Sequence, residues 1–203
     1  MKRLGLVLPI LVAGCSPLAP RPDASRFYVL TSVPDPSPTD GAAGIIIGLG
    51  PVALPSYLAR PEIATRVGPN QITYSAIARW AEPLDSTAAH VLADDIEADL
   101  GDGRVIPFPS FGAARLDYAV EVQFRRFECD GDGAATLDAL WAIRDGHSRT
   151  LLATRATTLS EPLNASGPAA EVAALSRTLS DLALEIADGI RRTRADSGDG
   201  PQP

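Results

Sequence analysis

The run from residue 117 to 159 constrains the fold most, because it reads as three strands joined by turns that leave room only for hairpins. In "DYAVEVQFRRFEC" (117–129), Tyr118, Val120, Val122 and Phe124 alternate with Ala119, Glu121 and Gln123, giving one apolar face and one polar face. "AATLDALWAIRD" (134–145) and "RTLLATRATTL" (149–159) follow across short turns at Asp130–Gly133 and Gly146–Ser148. Parallel neighbours need a crossover of about a dozen residues or more, so these strands must fold back as an antiparallel meander. A meander with one apolar face needs a second layer to cover it.

Two helical segments can supply that layer. Leu84, Ala88, Val91, Leu92, Ile96 and Leu100 recur at three to four residues, with Pro83 fitting the first turn and Gly101 the stop. Near the end of the chain Val172, Leu175, Leu179, Leu182, Ile186 and Ile190 make one apolar stripe, with Arg177, Asp181, Glu185 and Asp188 turned away. Ahead of them lie "FYVL" (27–30), a loop at 31–44, and "IIIGLGPVALP" (45–55), a β-branched run broken by Gly48, Gly50, Pro51 and Pro55. "EIATRV" (62–67) and "QITYSA" (71–76) flank Gly68–Asn70 as a hairpin. The expected class is α+β, a mainly antiparallel sheet of about six or seven strands with two amphipathic helices on one face. The other face, or the sheet edges, is left for a partner. Residues 27–192 form this domain, 193–203 read as a disordered polar tail, and no internal repeat is visible.

The first residues have a separate purpose. "MKRLGLVLPILVAGCS" has a basic start at Lys2 and Arg3, an apolar run Leu4–Val12 and small residues before Cys15. The apolar run falls well short of the ~20 residues that span a bilayer as a helix, and residues 1–14 read as a secretory signal. Val12-Ala13-Gly14-Cys15 resembles a bacterial lipobox, which implies cleavage before Cys15 and acylation there; an ordinary signal peptide with an incidental cysteine is the alternative. Several acyl chains at about 0.8 kcal/mol per buried CH₂ would hold the protein durably. Ser16 stands where an inner-membrane retention signal would place Asp, which points to the periplasmic face of the outer membrane. Residues 15–26 form a Pro-rich tether, whose length at about 3.1 Å per residue allows roughly 30 Å between lipid and domain. With Cys15 acylated, Cys129 is the one thiol left and no internal disulfide can form. Cys129 reads as half-buried at a strand end, with a reactive thiol as the other option.

The formal charge of −7 argues against nucleic acid, since little would displace phosphate counterions. Catalytic and metal motifs are weak. His90 and Asp94 have i, i+4 spacing without a third ligand. Glu128, Asp130, Asp132 and Gly133 match the start of a calcium loop, yet Ala139 stands where its bidentate carboxylate belongs. Ser110 in "FPSFG" lacks the elbow of a serine nucleophile, and no phosphate cradle is present. The residues give no catalytic set, no cofactor site and no metal site.

One longer stretch is more specific. "GLGPVALPSYLARPEIATRVGPNQITYSAIARWAEPL" resembles the paraquat-inducible protein C-like (PqiC-like) ABC-type transport auxiliary lipoproteins. Gly50-Pro51-Val52, Leu54-Pro55, Tyr57-Leu58, Arg60-Pro61, Ile63, Arg66 and Arg79-Trp80-Ala81-Glu82-Pro83-Leu84 carry the likeness, supported by "FYVL", Trp141 and the final helix. Leu49 and Ala59 depart from the usual pattern. The resemblance implies an outer-membrane periplasmic lipoprotein that docks a lipid-transport conduit, with a membrane-anchored MCE-domain protein as partner, with or without an ABC permease and ATPase. A homo-oligomer matching a ring-shaped partner is compatible with it. Tyr57, Leu58, Arg60, Arg79 and Trp80 are the candidate partner-binding residues. Two readings stay open for them. Trp80 can pack at a strand–helix corner with Arg79 stacked or paired to Glu82, or face a partner; "LPSYLARP" can be a binding loop or a brace. The competing functions are an adaptor for cell-wall or other envelope machinery, and a hydrolase that would gather Ser110, or Cys129 with His147, in one pocket.

Overall fold

In the computed structural model, which describes residues 23–33, 44–101, 103–110, 115–196 and 198, one eight-stranded sheet carries two helices. The strands are β1 (Arg26–Tyr28), β2 (Ile46–Ala53), β3 (Glu62–Gly68), β4 (Gln71–Trp80), β5 (Arg104–Pro107), β6 (Tyr118–Asp130), β7 (Ala134–Asp145) and β8 (Leu151–Pro162). The helices are α1 (Leu84–Leu100) and α2 (Pro168–Asp196).

The meander forms as its alternation requires. β6 pairs antiparallel with β7, and β7 with β8, in long registers. The other flank of β6 is shared. β2 runs parallel along its first half, from Ile47 opposite Tyr118 to Ala53 opposite Gln123, and β3 joins its last residues, Thr65 opposite Cys129. β4 pairs antiparallel with β3, β1 adds parallel to β4, and β5 adds parallel to β2. Most paired residues are thus antiparallel, with parallel joins where segments distant in sequence meet.

Each helix covers a different part of one face. α2 packs on β6, β7 and β8, while α1 packs on β2, β5 and α2. Ala135, Leu137, Ala139, Trp141 and Ile143 of β7 are buried beneath α2, against Leu175, Leu179, Leu182, Ile186 and Ile190. Fully burying a side chain of this size stabilises by roughly 1.5–3 kcal/mol. Gly189 permits the closest approach: a Cβ there would lie 2.9 Å from Trp141 Cη2 and 3.0 Å from Ile143 Cδ1. The Trp141 indole N–H donates to Thr157 Oγ1 at 3.0 Å, and Thr157 in turn donates to Glu185.

Several boundaries differ from the sequence expectation. β5 is an eighth strand; four residues between glycines and prolines carry too little periodicity to register, and the strand exists because β2 offers it an edge. The first strand begins at Arg26 and ends at Tyr28, leaving Leu30 buried beyond it, and β4 runs on through Trp80. Pro83 stands just before α1 as its cap, and Gly101, at φ 75°, ends it. α2 continues to Asp196, four residues into the span read as disordered tail, with Thr193 Oγ1 donating to the Gly189 carbonyl. No helix among the described residues is long and apolar enough to cross a membrane.

Candidate functional site

β2 ends among prolines, and the chain turns through a single 3-10 turn at Ser56–Leu58, closed by Leu58 N–H donating to the Pro55 carbonyl at 2.9 Å. This turn drives Leu58 into the core, and Tyr57 packs against that core half-buried. The Tyr57 hydroxyl donates to Glu128 Oε2 at 2.8 Å, and the Tyr57 carbonyl accepts from the Tyr74 hydroxyl at 3.1 Å. Glu128 is fully buried and also accepts from Arg66 Nε at 2.7 Å and Arg126 Nε at 3.1 Å. Burial first, and then the hydrogen bond to the Glu128 carboxylate, push the Tyr57 phenol up to about 12. Tyr57 is therefore a pin that holds its loop to the sheet.

Arg60 leans outward. Its guanidinium sits 4.4 Å above the Tyr74 ring, its Nε donates to Glu62 at 3.3 Å, and its side chain is 53% exposed. An ion pair this exposed is screened by water and contributes little, which leaves the Arg60 guanidinium accessible.

The second wall comes from the end of β4. Trp80 is buried in the main core, and its backbone N–H donates to the Pro61 carbonyl at 2.7 Å. That bond ties the Arg79–Leu84 corner to the Leu54–Pro61 loop. Between them lies an open cleft of about 470 Å³ with a mainly apolar lining that includes Leu54, Leu58, Pro61, Trp80 and Ala81. Arg60, Glu82 and Asp85 supply its charges.

The cleft thus unites Leu58, Arg60 and Trp80, while Tyr57 and Arg79 stand outside its lining. Arg79 is the register partner of Glu62 and of Phe27. Its charge helps to hold the Glu62 and Asp23 carboxyls below the usual range, behind the larger effect of their own hydrogen bonds. No Arg79–Glu82 ion pair occurs among the described residues, and Arg79 Nε is buried without a hydrogen-bond partner. Cys15 lies outside the described residues.

Sequence reasoning missed the Glu128 centre. A signal was present, because the apolar phase of β6 moves from Val120, Val122 and Phe124 to Phe127 and Cys129. That shift marks the bulge between Phe124 and Arg126. The same centre accounts for the calcium-like "ECDGDG". Glu128 is held by Tyr57 and two arginines, and Asp130 accepts from Arg126 Nη2 and Thr136 Oγ1, each at 2.7 Å. Among the described residues no group of three or more His, Cys, Asp or Glu could hold a metal ion.

The hydrolase candidates do not meet. Cys129 is buried in β6, deeper than the half-buried position expected, while Ser110 and His147 are exposed. Desolvation, with smaller contributions from Glu171, Asp130 and Glu128, pushes the Cys129 thiol up to about 12, so it stays protonated and unreactive.

A profile of the family described as the ABC-type transport auxiliary lipoprotein component matches residues 28–187, a span that includes both walls of the cleft. The chain belongs to this family. Among solved structures, this auxiliary lipoprotein is similar to a protein from Xanthomonas campestris. The two share 22% identity and a TM-score of 0.72, over 86% of this chain and 99% of that one. A second similar structure, titled only as an uncharacterized protein, shares 20% identity with a TM-score of 0.69, over 82% of this chain and 98% of the other. At such identities these likenesses establish the fold alone. No curated protein matches the chain. Membership makes it an auxiliary lipoprotein component of an ABC-type transport system.

Proposed function

We propose that this auxiliary lipoprotein docks an MCE-domain membrane protein of an intermembrane lipid-transport system, through the cleft between Leu54–Pro61 and Trp80–Asp85. Acylated Cys15 holds it at the outer membrane, and the cleft receives the end of the conduit. The observation that carries this reading is the cleft itself. Two segments about twenty residues apart along the chain converge on one open apolar recess. The fold braces that recess from behind, through Tyr57 on Glu128 and Trp80 on Pro61, and leaves Arg60, Glu82 and Asp85 at the surface. An apolar recess with a few charges at its rim matches the build of protein-recognition sites. Buried Leu58 and Trp80 shape the recess, and Arg60 supplies direct contact.

The test is co-purification of the full chain with a co-expressed MCE-domain protein. Ala81→Trp fills the exposed recess from a position whose side chain is free, and Arg60→Glu reverses its cation. Both should abolish capture while leaving thermal stability intact, and Cys15→Ser should release the protein from the outer membrane. Capture that survives both cleft variants, or a wild-type chain that captures no MCE-domain protein, defeats the proposal.

A further inference from the structure

Large apolar side chains that cluster in water mark a surface that meets something else. Among the described residues the most exposed of them is Phe27 of β1, at 63%, and Val29 and Ile77 follow it at 46% and 43%. Tyr28 packs against the core and Leu30 is buried, so the alternation of an extended chain turns Phe27 and Val29 outward. The register sets Phe27 beside Arg79, two residues beyond Ile77 on β4. No strand among the described residues pairs with the outer edge of β1. Arg26 is exposed and has no ion pair or hydrogen bond among the described residues. The acids of this corner are already engaged, Asp23 by the Ser25 N–H and Glu62 by Arg60.

The tether decides what lies against this patch. Acylated Cys15, the reading on which this inference rests, fixes the chain to a bilayer eight residue steps before Asp23. Eight steps span at most about 28 Å even at full extension. β1 runs parallel to β4, β4 antiparallel to β3, and β3 parallel to β6. The chain therefore enters the domain at the end of the sheet where β6 finishes. The 13 residues of β6 make the sheet roughly 43 Å long, more than the tether can reach. The far end, where the exposed Leu151 and Leu152 lie, cannot be turned down onto the bilayer, whereas Phe27, Val29 and Ile77 sit beside the point of attachment.

Confinement also changes what a small patch can do. A short tether holds the domain at an effective concentration in the millimolar range, so a contact too weak to bind free protein becomes populated. Phenylalanine flanked by arginine suits the boundary between headgroups and acyl chains, with the ring in the apolar layer and the guanidinium among the phosphates. The formal charge of −7 leaves apolar burial, rather than attraction to anionic lipid, as the driving force.

We infer that Phe27, Val29 and Ile77 rest in the interface of the bilayer to which the chain is tethered, giving the domain one orientation on the membrane. The same contact places the cleft. Ala81, which lines it, donates its N–H at 2.9 Å to the carbonyl of Tyr28, the residue between Phe27 and Val29. The cleft mouth therefore opens close to the headgroups.

The test uses the full acylated chain in vesicles of phosphatidylethanolamine and phosphatidylglycerol, with no partner protein added. Cys15 is blocked by acylation and Cys129 is buried, so one introduced cysteine takes up a polarity-sensitive dye. Spin labels on the acyl chains should quench a dye at Phe27→Cys or Ile77→Cys about three-fold more strongly than one at Leu152→Cys. With the dye at Ile77→Cys, adding Phe27→Glu and Val29→Glu should lower quenching to the Leu152→Cys level while the protein still floats with the vesicles. Replacing phosphatidylglycerol by phosphatidylcholine should change little. The inference is overturned if the patch dyes are quenched no more than the Leu152→Cys dye, if the glutamates leave quenching unchanged, or if quenching needs an added MCE-domain protein. A chain that does not float with the vesicles overturns it as well, by removing the anchor. That failure is told apart because no dye position is then quenched.

Discussion

Glu128→Gln tests the brace behind the cleft. The wild-type carboxylate accepts from Tyr57, Arg66 and Arg126, and its own side chain is fully buried. Glutamine keeps the volume but removes the charge, and its amide turns one acceptor into a donor facing existing donors. A hydrogen bond to a charged group contributes about 1.5–3 kcal/mol, and breaking a buried ion pair costs about 3–5 kcal/mol. Arg66 and Arg126 are 21% and 32% exposed and can rehydrate, which holds the loss to the low end, about 3 kcal/mol. At roughly 2–4 °C per kcal/mol for a domain of this size, the melting temperature should fall by about 6–12 °C. Urea unfolding followed by circular dichroism measures it, and the slope should not change. Hydrogen exchange adds location: the amides of Leu58 and Ala59, which close the 3-10 turn, should exchange faster, while those of β7 change little. A stability loss below about 1 kcal/mol would show that Glu128 does not hold the loop, and the account of the braced cleft would fail with it.

Other expected outcomes follow from the core. Gly189→Ala, which in an exposed helix would gain about 1 kcal/mol, should instead lose roughly 1–2 kcal/mol in thermal unfolding, because the added methyl meets Trp141 and Ile143. Cys129 should resist a maleimide in the folded protein and react once urea unfolds it, as a buried thiol held up near 12 requires. Asp95 of α1 accepts from Ser32 Oγ and Val33 N–H, yet its Oδ2 is buried without a partner, and burial raises its carboxyl. A raised folded-state carboxyl adds stability below its unfolded value and loses it as pH rises through the folded one. Asp95→Asn should thus compare more favourably with wild type at neutral pH than in acid, by denaturant titration at both; a pH-independent difference would refute this.

Much of the architecture was legible because side-chain periodicity is local. Val120, Val122 and Phe124 alternate whatever else the chain does, and the three-to-four spacing from Leu84 to Leu100 specifies an apolar helix face before any partner is known. The turn at Asp130–Gly133 and the stop at Gly101 rest on backbone preferences of single residues. By contrast, "RVIP" has no period of its own and became β5 through the edge of β2. The site was half legible. The residue types of Arg60 and Trp80 singled them out, yet Trp80 proved a buried wall and Tyr57 a pin, roles that depend on what lies across the fold.

From the sequence alone came the meander and both helices, since each depends on neighbours within a few residues, while the segments at 54–61 and 79–84 stood out through their resemblance to a family pattern. Tertiary structure alone decided that β2 and β3 divide one flank of β6, that Glu128 lies buried between arginines, and that the two segments face each other across a cleft. Those outcomes turn on which strand edge remains unpaired and which charge a buried group meets, quantities fixed only when residues distant along the chain come together.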